Sequence, residues 1–324
     1  MNDSRWIGAA LALAERTRGR TAPNPNVGCV IVADGRVVGR GWTQPGGRPH
    51  AEAMALAEAG DKSRGATCYV TLEPCAHRSA RGPACADLLV EHGVARVVAA
   101  MRDPDPRTDG CGLARLAAAG IATTCEVRPD EARRAIAGFL TRRDHGRPHV
   151  TLKLATSLDG CIALADGTSR WITGAAARAH AHLERGRHEA ILVGRGTFVA
   201  DAPALDVRLP GLEQRSPRRI LLSRTLALGQ APAGWQTIGA PGEIAALAGV
   251  DHLLVEGGAE TAAAFVAADL VDRLLVYRAP ILIGGGKPAL SDIGLAALGT
   301  AHARWVRHDR RMLGSDTLEV YERS

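Results

Sequence analysis

Apolar and polar positions follow two rhythms along the first half of the chain. The opening "MNDSRWIGAALALAERTRGR" spaces its apolar residues as an amphipathic helix, whereas "VGCVIVA", "ATCYVTLE" and "ARVVAAM" are short apolar runs of strand length. Between them a helix opens at His50 and Glu52, continues through Ala, Met and Leu, and stops at Gly60; "ACADLLVEHG" reads as another. Strands and helices in alternation predict an α/β layer with a largely parallel sheet.

A charged stretch with Gly and Pro, "LTRRDHGRPH", breaks this pattern, and strand character resumes at "VTLKLATSLDG". Further strands are predicted at "EAILVG", "RRILLS", "HLLVEGG" and "LLVYRAPILIGGG", with helices such as "GAETAAAFVAADL" between them. The stretch "LGQAPAGWQTIGAPGE" reads as a surface connection. We therefore expect two α/β domains, residues 1–146 and 147–324, divided near Gly146. A chain of 324 residues is long enough for two cores.

Composition narrows the function. The formal charge of +6 suits anionic small molecules, but no basic stripe with interleaved aromatics marks a nucleic-acid surface, and there are only 3 Tyr and 3 Phe. Acids and arginines interrupt the N-terminal apolar run, so it does not read as a signal peptide. No apolar run approaches the roughly 20 residues that span a bilayer. A cytoplasmic protein is expected, whose 7 cysteines act as thiols and ligands rather than as a disulfide framework.

Three of its side chains carry the first chemistry. His50, Cys75 and Cys85 offer one nitrogen and two sulfurs, a set suited to zinc with the fourth tetrahedral position left for water. H-x-E followed by P-C and a second Cys is the signature of zinc deaminases, in which the Glu, here Glu52, moves protons and is not a ligand. Residues i and i+2 face apart on a regular helix, so His50 and Glu52 converge only if His50 takes the non-helical cap position after Pro49. Hydrolytic deamination follows. Each residue alone has a plain structural reading as a cap, a core residue or a buried thiol; their order together favours zinc. Cys29, Cys68, Cys111, Cys125 and Cys161 lack such company and read as structural. His77, two residues after Cys75, is either a ligand or a substrate contact, and we favour the latter.

With these residues in view, the chain resembles the bifunctional riboflavin-biosynthesis deaminase-reductases along essentially its whole length. "TAPNPNVGCVIV", "PHAEAMAL", "ATCYVTLEPCAH" and "DPDP" resemble the deaminase motifs; "VTLKLATSLDG", "SRWIT", "GRGTFVADAPALDVR" and "LLVEGG" resemble those of the reductase. The resemblance implies a cytidine-deaminase-like α/β/α domain followed by a dihydrofolate-reductase-like α/β domain. It also implies the substrate, a phosphoribosylated diaminopyrimidine that is deaminated and whose ribosyl group is then reduced by NADPH, and a homo-oligomer, dimer or tetramer. It puts His50, Cys75 and Cys85 on the zinc ligands, Glu52 on the proton shuttle, and Asn24 and His77 on substrate contacts. Two departures stand out: the loop "AHRSARGPA" is one residue longer than the commoner family spacing, with its basic side chain at Arg81 or Arg78, and Asp105 replaces the usual Asn.

The second half lacks the G-x-G-x-x-G fingerprint. "HLLVEGGAETAAAF", a strand turning through Gly257 and Gly258 into a helix, presents amides to a phosphate instead. The resemblance implies NADPH contacts at Ala155, Trp171, Thr197, Asp201, Gly258, Ala259, Glu260 and Thr261, with Asp201 nearest the hydride transfer and Ala202 where a second acid is usual. It implies phosphoribosyl contacts at Ser169, Arg185, Leu205, Arg208 and Glu256, a task suited to guanidinium groups. Trp171 also reads as a core aromatic and Lys153 as a surface lysine. A competing reading, a nucleic-acid base deaminase with an accessory α/β domain, needs the stacking aromatics that are scarce here.

Overall fold

Asn2 caps the first helix, its side chain accepting from the Arg5 amide, and α1 (Asp3–Ala14) buries Ile7, Ala10, Leu11 and Ala14 along one stripe. The computed structural model describes residues 2–77, 81–225 and 232–324. It divides into two units, Met1–Leu140 and Thr141–Ser324.

In the first unit α1 is followed by β1 (Gly28–Ala33), β2 (Arg36–Trp42), α2 (Ala51–Ala59), β3 (Thr67–Val70), α3 (Cys85–Glu91), β4 (Arg96–Ala99), α4 (Cys111–Ala118), β5 (Ala122–Thr124) and α5 (Pro129–Ala135). The division falls within the next helix, α6 (Ala137–His145). The sheet order is β2-β1-β3-β4-β5. The expectation of a largely parallel sheet is corrected here, because β1 runs antiparallel to both β2 and β3 and only β3-β4 and β4-β5 are parallel. The cause is a two-residue turn, Asp34 and Gly35, both at positive φ (50° and 73°), which matches the twist of the strands it joins.

The second unit contains β6 (His149–Thr156), β7 (Cys161–Ala163), α7 (Ala175–Arg185), β8 (Ala190–Gly194), α8 (Arg195–Asp201), β9 (Arg218–Leu222), β10 (Trp235–Ile238), β11 (His252–Val255), α9 (Ala259–Ala267), β12 (Arg273–Arg278), β13 (Lys287–Pro288), β14 (Trp305–Leu313) and β15 (Asp316–Arg323). Its main sheet has the order β10-β9-β8-β11-β6-β12-β15-β14, parallel from β10 to β12 and closed by an antiparallel hairpin. The central strands are apolar on both faces: Val150, Leu152, Ile191, Leu192, Leu253 and Val255 are fully buried. Two expectations are corrected. "WQTI" is an edge strand rather than part of a connection, and the apolar run through Ile283 leaves the sheet after Arg278, just before Pro280, which has no amide to donate.

Glycines set how closely the helices of the first unit lie on their sheet. A Cβ on Gly39 would fall 2.1 Å from the Ala55 carbonyl oxygen, and one on Gly41 2.0 Å from that of Ala51. Backbone therefore meets backbone where α2 crosses β2. Gly41→Ala must lift α2 from the sheet, and because the obstruction is backbone the cost is about 3 kcal/mol. Thermal unfolding should show that loss, together with reduced bound zinc in metal analysis; unchanged stability would contradict this packing.

Two candidate active sites

The start of α2 lies where this close packing holds it. His50 is its N-cap with an extended backbone (φ −73°, ψ 163°), so the imidazole and the Glu52 carboxyl share one side, as the cap position requires. His50 Nδ1 lies 3.7 Å from Cys75 Sγ and 3.4 Å from Cys85 Sγ. The three ligand atoms all fall within 4.8 Å of one another, and among the described residues this is the one such group that could hold a metal. A tetrahedral zinc with bonds of about 2.3 Å to sulfur and 2.0–2.1 Å to nitrogen sets N–S separations of about 3.6 Å. The donor set and its spacing both fit that ion.

Asn24 Nδ2 donates to the Gly47 carbonyl oxygen at 2.9 Å and lies 3.0 Å from His50 Nε2; with Nδ1 on a metal the ring presents Nε2–H, which needs an acceptor, and the Asn24 carbonyl oxygen serves once the amide is turned over. Cys85 is the first residue of α3, and its amide donates to Cys75 Sγ at 3.3 Å. Hydrogen bonding from Cys85 and His50 holds the Cys75 thiol down to about 4, against the effect of burial. Burial pushes the Glu52 carboxyl up to about 7, so it can both accept and return a proton near neutral pH.

Sequence reasoning missed the support beneath these groups. Glu73 is buried, and its carboxylate accepts from the amides of Asp103 (3.2 Å), Gly110 (3.0 Å) and Leu113 (3.1 Å), tying the loop before α4 to the strand end that precedes Cys75. Only its place in "LEPC" hinted at this. Thr108 Oγ1 lies 3.5 Å from both the Ala76 amide and His77 Nδ1, so His77 faces that loop and stands outside the metal group. Asp105 is engaged by Arg107, whose hydrogen bonds hold its carboxyl down to about 2. Arg81 Nη2 donates to the Gly46 carbonyl oxygen at 2.7 Å, and Arg78 lies outside the described residues.

In the second unit a cavity of about 750 Å³ opens beside the first turns of α8 and α9, lined by Gly194, Gly196, Ser223, Arg224, Glu260 and Thr261. A Cβ on Gly194 would fall 2.0 Å from Thr261 Oγ1, and one on Gly257 2.6 Å from Thr261 Cβ, so these glycines keep the cradle clear. The cavity fits a dinucleotide: small residues line one wall, and Arg195 and Arg224 offer cations to phosphate. Ser223, Arg224 and Thr225 were not singled out from the sequence, where Ser223 only closes the strand "RRILLS".

Beyond it Arg185 forms a bidentate pair with Glu256 (2.8 and 2.9 Å), with Lys153 Nζ at 3.8 Å. Burial opposes ionisation of Glu256, yet Lys153 and Arg185 hold its carboxyl down to about 2.

Residues 148–241 and 242–314 match the family described as RibD C-terminal domain, and residues 1–101 match the cytidine and deoxycytidylate deaminase zinc-binding region. The riboflavin biosynthesis protein RibD of Escherichia coli K12 is 40% identical over 349 aligned positions, covering 93% of this chain and 94% of its own. The chain belongs to the RibD family. Two solved structures are similar along 99% of both chains: RibD of Acinetobacter baumannii, form 1 (TM-score 0.84, 34% identity), and a diaminohydroxyphosphoribosylaminopyrimidine deaminase/5-amino-6-(5-phosphoribosylamino)uracil reductase from Thermotoga maritima (TM-score 0.86, 31% identity).

RibD membership gives each unit its role, a zinc-binding deaminase and an NADPH-using reductase, and the accessory-domain reading loses its ground. Glu260 and Thr261 line the cavity, while Gly258 and Thr197 meet beside it, a Cβ on the glycine falling 3.7 Å from Thr197 Oγ1. Ala259 is the first residue of α9. Ala155 lies on β6 opposite Tyr277, and Ser169 is half-buried ahead of α7. Trp171 is 64% exposed with the Arg178 guanidinium 4.7 Å from its ring, which corrects its core reading. Asp201 ends α8 and pairs with Arg170 at 3.5 Å. Leu205 is buried with Ile191, Val193 and Leu254. Lys153, beside Glu256 and 5.9 Å from the Tyr277 ring, is no surface lysine.

The two sulfurs and the imidazole form a set that one truncation should break. Cys85→Ser is expected to lose most bound zinc in metal analysis of the purified protein, whereas Glu52→Ala keeps nearly one zinc per chain. Zinc lost equally from both would place Glu52 among the ligands.

Proposed function

We infer that the chain carries out two successive steps of riboflavin biosynthesis. It hydrolytically deaminates 2,5-diamino-6-(5-phosphoribosylamino)pyrimidin-4(3H)-one to 5-amino-6-(5-phosphoribosylamino)uracil, then reduces the ribosyl group to ribityl with NADPH. One observation carries the reading: an imidazole and two thiols converge at the helix start that also bears a buried, proton-accepting glutamate, within a chain related to RibD from end to end. We assign the deaminase to residues 1–146 and the reductase to 147–324.

His50, Cys75 and Cys85 hold the zinc ion, which when bound acts as a Lewis acid and brings the ionisation of water toward neutral pH. Glu52 takes the proton from the attacking water and returns it to the departing amine, so that ammonia leaves as a neutral molecule. Asn24, at the edge of the His50 ring, borders the pyrimidine together with His77. Arg107 neutralises Asp105, so the carboxylate that replaces the usual Asn does not repel an electron-rich pyrimidine.

In the second unit NADPH, when bound, supplies the hydride. Gly258, Ala259, Glu260 and Thr261, with Thr197, border its phosphates; Ala155, Trp171 and Asp201 are assigned to its nicotinamide end. Ser169, Arg185, Leu205, Arg208 and Glu256 surround the phosphoribosyl group, whose open-chain imine accepts hydride at C1′ once it is held in line. NADPH differs from NADH by one phosphate, and Arg224 with Ser223 and Thr225 offers a cation and two hydroxyls for it.

We further infer a cytoplasmic homo-oligomer, dimer or tetramer, acting on a small molecule and not on nucleic acid. All seven cysteines are free, and no helix among the described residues is long and apolar enough to cross a membrane. Exposed large apolar side chains gather in the second unit, among them Leu282, Leu298, Val306 and Met312.

Purified protein given the diaminopyrimidine phosphoriboside and NADPH should yield, by mass spectrometry, a deaminated product and then one heavier by two hydrogens. In Glu52→Ala deamination should fall by at least 10³-fold while added uracil intermediate is still reduced; loss of both steps would argue against separate sites. Arg224→Ala should raise the KM for NADPH about tenfold and leave that for NADH nearly unchanged. An equal rise for both cofactors would move the phosphate elsewhere.

A further inference from the structure

His182 lies on α7 one turn before Arg185, and its imidazole joins that helix to the segment after α8. Nδ1 is 3.0 Å from the Asp206 carbonyl oxygen, and Nε2 is 3.3 Å from Arg208 Nη2. Arg185 Nη1 donates to the same carbonyl at 3.1 Å. Two of its partners agree on one tautomer: a carbonyl only accepts and a guanidinium only donates, so with both satisfied Nδ1 carries the hydrogen and Nε2 the lone pair. The Arg208 amide also points its N–H at Nδ1 from 3.3 Å, a longer contact that calls for the opposite tautomer and gives way to the 3.0 Å carbonyl together with the guanidinium on Nε2. An imidazolium would still serve Asp206 but would have nothing to offer Arg208. Burial, with Arg185 and Arg208 close by, holds the imidazole below its usual range and keeps this neutral form.

Arg208 needs such a partner. Its side chain is 59% exposed, its other anchor is an ion pair with Asp206 at 3.5 Å, and a long side chain loses entropy when a ligand must order it. We propose that His182 is a positioning residue of the reductase, aiming the Arg208 guanidinium so that, with Arg185, it meets the substrate phosphate already oriented. This rests on the reading above that Arg185 and Arg208 border the phosphoribosyl group.

The test uses the full chain with 5-amino-6-(5-phosphoribosylamino)uracil and its unphosphorylated ribosylamino counterpart. His182→Leu should raise KM for the phosphorylated substrate about tenfold at nearly unchanged kcat, and leave the unphosphorylated one unaffected. His182→Gln, whose amide can accept from Arg208 and donate to Asp206, should restore KM to within about twofold. In an Arg208→Ala background His182→Leu should add nothing. A tenfold rise that Gln fails to rescue, or one that persists without Arg208, makes His182 merely structural and overturns the proposal. Should His182→Leu not fold, His182→Met takes its place in each comparison. If Arg208→Ala alone leaves KM unchanged for both substrates, the phosphate reading fails instead; if it raises KM while His182→Leu does not, only the positioning role fails.

Discussion

The first unit depends on backbone contact between α2 and the β1-β2 hairpin. A helix packed through ordinary side chains stands some 8–10 Å from its neighbour, but Gly39 and Gly41 remove that spacing and let the Ala51 and Ala55 carbonyls rest against the strand. The first turn of α2 is thereby fixed in depth and direction. His50 and Glu52 inherit that fixity, because a cap residue and a first-turn residue have little freedom once the helix axis is set. Gly28 plays the same part for α1, since a Cβ there would fall 1.9 Å from the Ala10 carbonyl oxygen.

The metal group then needs two thiols brought to a helix start from a different part of the chain. Glu73 makes this possible by a route that involves no ligand directly. Its buried carboxylate gathers three amides, two from the loop before α4 and one from the first turn of that helix, so its oxygens are satisfied where water is excluded. The strand end carrying Pro74 and Cys75 is thus fastened to the same layer as α4. Cys85 closes the arrangement through its own amide, so the two sulfurs are linked by backbone before any ion arrives. A site so prepared loses little conformational freedom on binding metal.

What the sequence made legible follows from the range of the forces involved. The ligand set could be read because residue chemistry and cap geometry are local: His50 after Pro49, Cys75 after Pro74 and Cys85 opening a helix all lie within short segments. The β1-β2 hairpin is less legible although its Asp-Gly turn is a strong local signal, because its second strand, "RVVGRGW", has no continuous apolar run and its glycines serve packing instead. The closing hairpin β14-β15 is local, its strands joined through Gly314 and Ser315, whereas the edge strand at Trp235 gains its character from pairing with β9, which lies outside its own segment. Glu73 and His182 were invisible for the same reason, as their partners lie 30 to 40 and 24 to 26 residues away.

The reductase site solves a different electrostatic problem. A phosphorylated substrate and a phosphorylated cofactor both call for cations, and a cavity lined only with arginines would repel itself when empty. Glu256 answers this by lying within reach of both Arg185 and Lys153, so the buried part of the site carries one net positive charge rather than two without ligand. Its lowered pKa is the measure of that compensation, because burial alone would have pushed the carboxyl the other way. Arg208 and Arg224 stand nearer solvent, where water screens their charge until phosphate replaces it. Charge is therefore graded from a compensated interior to a more exposed rim, and that grading lets one unit draw in two anions while remaining folded when both have left.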